Sequence, residues 1–333
     1  MRPQSEAEFS RALETHRAEI RLHCYRLMGS LHDAEDMTQE TLLRAWRNRS
    51  RFAGRSSIRH WLYRIATNGC LNLLAKRKNR HRLLPDAVGP ATRKMPAGEP
   101  AEEIPWLEPH PDFLLETAPD AAPPPNARYE QRESIRLAFV AAIQRLGSKQ
   151  RAVLLLRDVL GWSASETAQC LGLSIASANS ALQRARTAMA AHHEHGGPKS
   201  SPAIERAEQA VVDRYVRAWE SADFDGVVNL LREDARLVMP PWRQWYRGRP
   251  AIRSFFGWAF DWAWRTPRRR TFHLVQTSAN GQAALATYVR ARGESKFHAH
   301  ALQLLTIRDG SIAALTLFVG PRFFAVFNLP RDL

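Results

Sequence analysis

The stretch SIASANSALQRAR, residues 174–186, sets amide and guanidinium groups among small side chains at helical spacing. At about 100° per residue, Ala178, Leu182, Ala185 and Met189 share one side of a helix; Ser177, Ser180, Arg184 and Thr187 fall opposite, with Gln183 beside them. Gln183 and Arg184 have the donor geometry for adenine and guanine edges, and serines let the backbone approach a groove closely. Asn179 and Arg186 lie off that line, where phosphate contacts position a helix without reading sequence. A second group, SLHDAEDMTQETLLRAWR, gathers Asp33, Asp36 and Glu40 on one broad helical side with Gln39 close by. Such an acidic face is unsuited to DNA; it is either a solvated surface or a docking face for another protein. In a third group, RFAGRSSIRHWLYRIATNGCLN, the residues Arg59, His60, Tyr63, Arg64, Thr67 and Asn68 share the polar side of a helix lined inside by Ile58, Leu62, Ile65 and Gly69. Rings interleaved with arginine and asparagine offer unstacked bases a stacking plane, a phosphate partner and a base-edge partner.

These groups need particular elements to hold them. Between residues 9 and 80 apolar residues recur at three- and four-residue steps, broken at Gly29-Ser30 and at 52–57, which predicts a compact helical domain. Residues 81–127 form an acidic linker with eleven prolines, too many for regular structure. Inside it PWLEPHPDFLL carries Trp106, Leu107, Phe113 and Leu114, more hydrophobe than a passive spacer needs. Helical periodicity returns over 128–193, where SASETAQCLG, a turn at Gly172 and the polar second helix predict a helix-turn-helix. A short linker, 194–202, leads to an α+β domain over 203–328. It should have helices at AIERAEQAVVDRYVRAWESAD, FDGVVNLLRED and AIRSFFGWAFDW, and a short strand at ARLVMP. Four further strands, RTFHLVQTSA, AALATYVRAR, HALQLLTIR and SIAALTLFV, with Asn280-Gly281 and Asp309-Gly310 turns, predict a meandering antiparallel sheet.

Composition bounds the function. Of 333 residues, 48 are Lys or Arg and 33 Asp or Glu, a net charge of +15 that calls for a polyanionic partner. The charge is segregated: +9 over residues 1–82, −6 over 83–127, +4 over 128–196 and +8 over 197–333. Cys24, Cys70 and Cys170 stand singly without ligand spacing, so they read as reduced core residues, with no metal or cofactor expected. No apolar signal core opens the chain and no run is long enough to span a membrane, which predicts a cytoplasmic protein.

Three blocks, DAEDMTQETLLRAW, FAGRSSIRHWLYRIATNGCLN and QRAVLLLRDVLGWSASETAQCLGLSIASANSALQRAR, in that order, resemble regions two and four of sigma-70-type transcription initiation factors of the extracytoplasmic-function group. The resemblance implies that Asp33, Asp36, Gln39 and Glu40 bind the clamp helices of the largest subunit of core RNA polymerase. It implies that residues 52–68, with Arg55, Arg59, His60, Tyr63, Arg64, Thr67 and Asn68, read and melt the promoter −10 element. It assigns the −35 element to Ser177, Asn179, Ser180, Gln183, Arg184 and Arg186. Two departures stand out: Gly147-Ser148-Lys149 where members commonly carry prolines, and Ala178 in place of a valine.

The C-terminal blocks WYRGRPAIRSFF and HALQLLTIRDGSIAALTLFVGPRFFAVFNLP resemble the SnoaL-like fold, in which helices lie against a curved sheet to form a cone with an apolar cavity. That fold hosts enzymes and binding modules alike. Trp242, Trp245, Trp258, His298 and His300 are the candidate pocket residues for a small ligand. Two alternatives to a sigma factor modulated by such a domain stay open. One is a cyclase- or isomerase-type enzyme fused to a DNA-binding module. The other, a dimeric helix-turn-helix repressor, leaves Asp33–Glu40 and Phe52–Asn68 without a use.

Overall fold

The computed structural model describes residues 6–52, 57–78, 81–96, 99–115, 134–190, 202–264 and 270–333. Two compact units divide the chain: residues 1–83 with 107–196, and residues 84–106 with 197–333. The predicted linker is thus shared between them, the change falling between Trp106 and Leu107.

The first unit begins with α1 (Glu6–Thr15), α2 (Arg17–Met28), α3 (Leu31–Arg47) and α4 (Ile58–Lys76). Each break has a local cause. Gly29 ends α2 at φ 68°, its N–H bonded to the Tyr25 carbonyl. A Cβ there would stand 3.0 Å from a Leu107 methyl and 3.1 Å from Gln144, so only glycine fits the turn. Ser30 then caps α3 by accepting from Asp33 N, and Ser57 caps α4 by accepting from His60 N. Ile20, Leu27, Ala34, Ala45, Leu62 and Ala66 are fully buried between these helices. Gly69 lets α4 close on α3, since a Cβ there would lie 2.6 Å from the Met37 sulfur.

Part of the predicted linker is built into this unit. Glu108 accepts from Ser30 Oγ (2.8 Å) and Leu31 N (2.9 Å) at the start of α3 and pairs with Arg82 (3.1 Å). A carboxylate at a helix N-terminus satisfies free amides and the helix dipole together. Tyr25 donates to the Glu108 carbonyl (2.7 Å) and packs on His110, with ring centroids 4.9 Å apart.

The rest of the unit comprises α5 (Leu137–Gln144), α6 (Ser148–Leu154), which runs on through a wider turn over Leu155–Val159, α7 (Ala164–Leu171) and α8 (Ile175–Ala190). Ser163 and Glu166 form a reciprocal capping box at α7, and Gly172, at φ 63°, ends it. Gly147 stands as the N-cap of α6 with Gln150 reaching back to it, so the helix starts here without the prolines common in the resembled group. The helices α7 and α8 with the Gly172 turn are the predicted helix-turn-helix. Ala178, Leu182, Ala185 and Met189 are its buried seam, joined by Ala181.

In the second unit α9 (Pro202–Glu220), α10 (Phe224–Asn229) and α11 (Arg249–Trp264) pack on a six-stranded sheet: β1 (Leu231–Val238), β2 (Trp245–Arg247), β3 (Arg270–Ala279), β4 (Gln282–Ala291), β5 (His298–Arg308) and β6 (Ser311–Val319). The order is β2-β1-β6-β5-β4-β3, and all pairings are antiparallel except β1 with β6. The sequence LLRED, expected to prolong a helix, instead starts β1 at Leu231. There Leu231, Ala235 and Leu237 are buried on the shared core, so strand pairing overrides local helix preference. Asn280, at φ 55°, and Gly281, at φ 65°, make the β3–β4 turn as expected.

Candidate functional site

On α8 every predicted contact residue, Ser177, Asn179, Ser180, Gln183, Arg184 and Arg186, is exposed. Two are held in place. Ser174 Oγ accepts from Ser177 N (3.1 Å) and donates to the Ser177 hydroxyl (2.8 Å), which makes Ser177 part of the cap. Arg186 forms a two-pronged ion pair with Asp158 (3.0 and 2.7 Å). Ile175 and Ala176, also exposed, were not singled out in the sequence; a helical-wheel test over the first turn would have found them.

The acidic face of α3 divides. Asp33 is buried, bound bidentately by Arg77 (2.7 and 3.0 Å) and again by Arg82 (3.0 Å), so it is not the free carboxylate expected. Those guanidinium groups outweigh its burial and hold the carboxyl below its ordinary range, keeping it ionised. Asp36 and Gln39 are exposed, and Glu40, partly exposed, pairs with Arg44 one turn on (2.5 Å). Leu43, 49% exposed, continues the same helical face and supplies an apolar centre that the sequence pattern did not flag.

The α4 candidates are mostly engaged. Contrary to the predicted polar side, Tyr63 and Thr67 are buried. Thr67 Oγ1 lies 2.8 Å from His23 Nε2 and donates to the Tyr63 carbonyl (2.7 Å), while Tyr63 donates to Glu19 (3.0 Å). Arg59 pairs with Glu19 (2.8 Å) and lies over the Tyr63 ring (5.0 Å). His60 stacks on Trp162 of the α6–α7 turn, with centroids 4.6 Å apart and planes at 25°. Asn68 donates to the Cys170 carbonyl at the end of α7 (3.1 Å). Arg64 is exposed. Arg55 lies outside the described residues.

Three buried side chains join these helical halves. Gln144 Nε2 donates to the Arg26 carbonyl (2.8 Å), and Arg151 donates to the Leu27 carbonyl, so the last carbonyls of α2 are satisfied from α5 and α6. Arg151, fully buried, also reaches Ile143 O (2.9 Å), Gln144 Oε1 (2.6 Å), Leu146 O (3.1 Å) and His81 Nδ1 (2.8 Å). Burial pushes its pKa down to about 9, which still leaves it charged at neutral pH. Arg26, likewise buried, donates to the Ser134 carbonyl (3.1 Å) and hydroxyl.

The C-terminal candidates have separate surroundings. Trp242 packs against the core cluster, and Trp258 is exposed beside Phe255. Trp245 is buried, and its indole donates to the Gly89 carbonyl (2.8 Å). His298 is exposed and held by Asp332 (2.8 Å), while burial pushes His300 down to about 4. Trp262, another aromatic of this stretch, has its side chain outside the described residues. The interior instead holds a polar chain: Tyr215 donates to Gln303 (2.7 Å), which donates to Thr287 (2.7 Å), all three buried. Trp219 packs on Tyr215, and Phe256, Phe260 and Phe272 pack in turn on Trp219.

The proline-rich segment 84–106 lies along this unit. Tyr246 donates to the Lys94 carbonyl (3.0 Å), Thr92 N to Trp245 O (2.9 Å) and Ala101 N to Pro241 O (2.9 Å); Met95 packs on the core cluster. Trp106 is buried, its indole donating to the Ala101 carbonyl (2.9 Å), and it is the last residue of this segment before the chain passes to the first unit at Leu107.

Two helical modules, the second ending in a helix-turn-helix with an open polar face, followed by an α+β module, define a modular transcription initiation factor. The sigma-70 region 2 model matches residues 12–80, the sigma-70 region 4 model residues 136–189, and the SnoaL-like domain model residues 212–315. The chain is 42% identical over 329 residues, 98% of its length and 85% of the relative's, to the ECF RNA polymerase sigma factor SigG of Mycobacterium tuberculosis. It belongs to the extracytoplasmic-function sigma factors and carries a SnoaL-like C-terminal domain. It is 31% identical over 210 residues, 63% of its length and 58% of the relative's, to ECF RNA polymerase sigma factor SigJ of the same species. The crystal structure of that bacterium's SigJ shares the fold, with a TM-score of 0.59 and 23% identity over 98% of this chain and 100% of that one. Sigma factors bind core RNA polymerase and promoter DNA. Among the described residues no helix is long and apolar enough to cross a membrane.

Proposed function

We propose that α8 reads the −35 element through Asn179, Ser180, Gln183 and Arg184, with Ser177 and Arg186 fixing the helix and its phosphate contacts. The observation that carries this is the fully exposed polar face of α8 above a seam of small buried residues. Asp36, Gln39, Glu40 and Leu43 dock on the polymerase clamp, and Asp33 holds the shape of that face from beneath. Arg59, His60, Arg64 and Asn68 serve the −10 element once α7 moves away from α4. The arrangement joined by Gln144 and Arg151 is then a resting state, and promoter binding exchanges its internal contacts for DNA. The SnoaL-like domain modulates this activity through segment 84–106, whose backbone it binds. The factor acts in the cytoplasm, and its chemistry belongs to the polymerase.

Run-off transcription with core polymerase tests the reading. Arg184→Ala is expected to lower initiation roughly 30-fold, equivalent to about 2 kcal/mol for a lost base-edge contact. Transcription indifferent to both Arg184→Ala and Gln183→Ala would remove α8 from the recognition step.

A further inference from the structure

We propose that Ile175 and Ala176 read thymine methyl groups, adding to the −35 preference a component that the polar residues of α8 cannot supply. This rests on α8 being the groove helix. Ile175 is the first residue of that 16-residue helix and is 50% exposed. A β-branched side chain left in water contributes little packing and slightly disfavours helix, so Ile175 adds little to the fold and its side chain is available to a partner. Ala176 lies at the centre of the exposed arc, in line with Ser180, Gln183 and Thr187.

The geometry of the first turn narrows the target. Ser177 is tied to Ser174, and Arg186 to Asp158, which fixes the helix frame on either side. The N-terminal residues of a recognition helix are the ones that meet base edges. In the major groove the apolar feature of those edges is the thymine C5-methyl, and Ala and other small apolar groups contact it. Arg184 and Arg186 on the same helix make nucleic acid the fitting occupant by charge.

The test uses holoenzyme containing the full chain and duplex promoters recovered by transcription from a random library. Each −35 thymidine is replaced in turn by deoxyuridine, which removes the methyl group alone. At one or two adjacent positions initiation should fall about four-fold, the factor expected for one buried methyl. At the position that Ile175 meets, Ile175→Ala should shrink the deoxyuridine penalty, because its shorter side chain withdraws from the methyl, while Ile175→Val keeps most of it. Wild-type indifference to deoxyuridine at every position would overturn the proposal, as would an undiminished penalty in Ile175→Ala. So would an equal loss on both templates in Ile175→Ala, which would mean that Ile175 meets protein. Arg184→Ala runs in parallel: if it lowers initiation while deoxyuridine is neutral, only the methyl reader fails; if it is neutral too, the groove role of α8 fails.

Discussion

Helix α8 meets its unit along the seam Ala178, Ala181, Leu182, Ala185 and Met189 and packs on α6 and α7, whereas α4 is bordered by α2, α3, α6 and α7. Both helices carry arginine, asparagine and small polar residues on the side predicted to face DNA. On α8 all six candidates are exposed; on α4 Tyr63 and Thr67 are buried, and His60, Asn68 and Arg59 have internal partners. The number of elements around a helix, more than the chemistry of its residues, decides which polar groups remain available for a partner. The same rule divides α3, where Asp33 is consumed by Arg77 and Arg82 while Asp36 faces solvent.

The largest test of that division is Asp33→Ala against Asp36→Ala. Removing Asp33 takes from Arg77 its two-pronged partner and leaves Arg82 with Glu108 alone, and should cost about 3 kcal/mol in urea unfolding. Asp36→Ala should leave stability within about 0.5 kcal/mol while weakening binding to core polymerase. Equal stability losses would mean that the two carboxylates are not distinguished by the fold.

The next effect is acid sensitivity on the α4 side. His23 is fully buried against Thr67 and Tyr63, and desolvation pushes its pKa from 6.5 to about 3. The folded ring is therefore neutral, while the unfolded ring takes a proton below its ordinary pKa. Its contribution is complete above the unfolded value and is lost as pH falls from there toward the folded one. At pH 5 the loss is about 2 kcal/mol, and His23→Gln should flatten the stability profile between pH 7 and 5 by that amount. Residues 134–190 contain no histidine, so α8 has no local counterpart. A wild-type profile unchanged by His23→Gln would show that this burial is not maintained in solution.

Much of this was legible in the sequence. The seam of α8, the Gly172 turn, both β-turns and the bounds of β3 and β6 follow from periodicity and turn chemistry, because each depends on residues near in sequence. The fate of Asp33, Tyr63 and Thr67 was not legible, since it turns on Arg77, Arg82, His23 and Glu19, distant partners that periodicity cannot assign. The short β2 and the parallel β1–β6 pairing were hidden for the same reason. The linker escaped differently: prolines exclude regular structure but leave carbonyls and amides free, and Gly89, Lys94 and Ala101 use them to bind the C-terminal unit.

The smallest expected effect is the most direct probe of whether α4 is covered. The His60 ring stacks on Trp162, and its other polar contact across the contact region, with Glu166 at 3.5 Å, is loose. An aromatic pair contributes about 1 kcal/mol beyond its buried area. His60→Ala should therefore shift the α4–α7 contact roughly five-fold toward opening, whereas His60→Phe keeps a ring on Trp162 and should not. Native-state hydrogen exchange separates the two, because local opening raises exchange only in the elements that part. Amides of α4 and α7 should exchange about five-fold faster in His60→Ala, and those of α8 at the wild-type rate, since its seam on α6 and α7 is untouched. Identical exchange in His60→Ala and His60→Phe would show that the stack does not hold α7 against α4. The Asn68 bond to the Cys170 carbonyl and the buried Gln144 and Arg151 contacts to the end of α2 would then carry that contact.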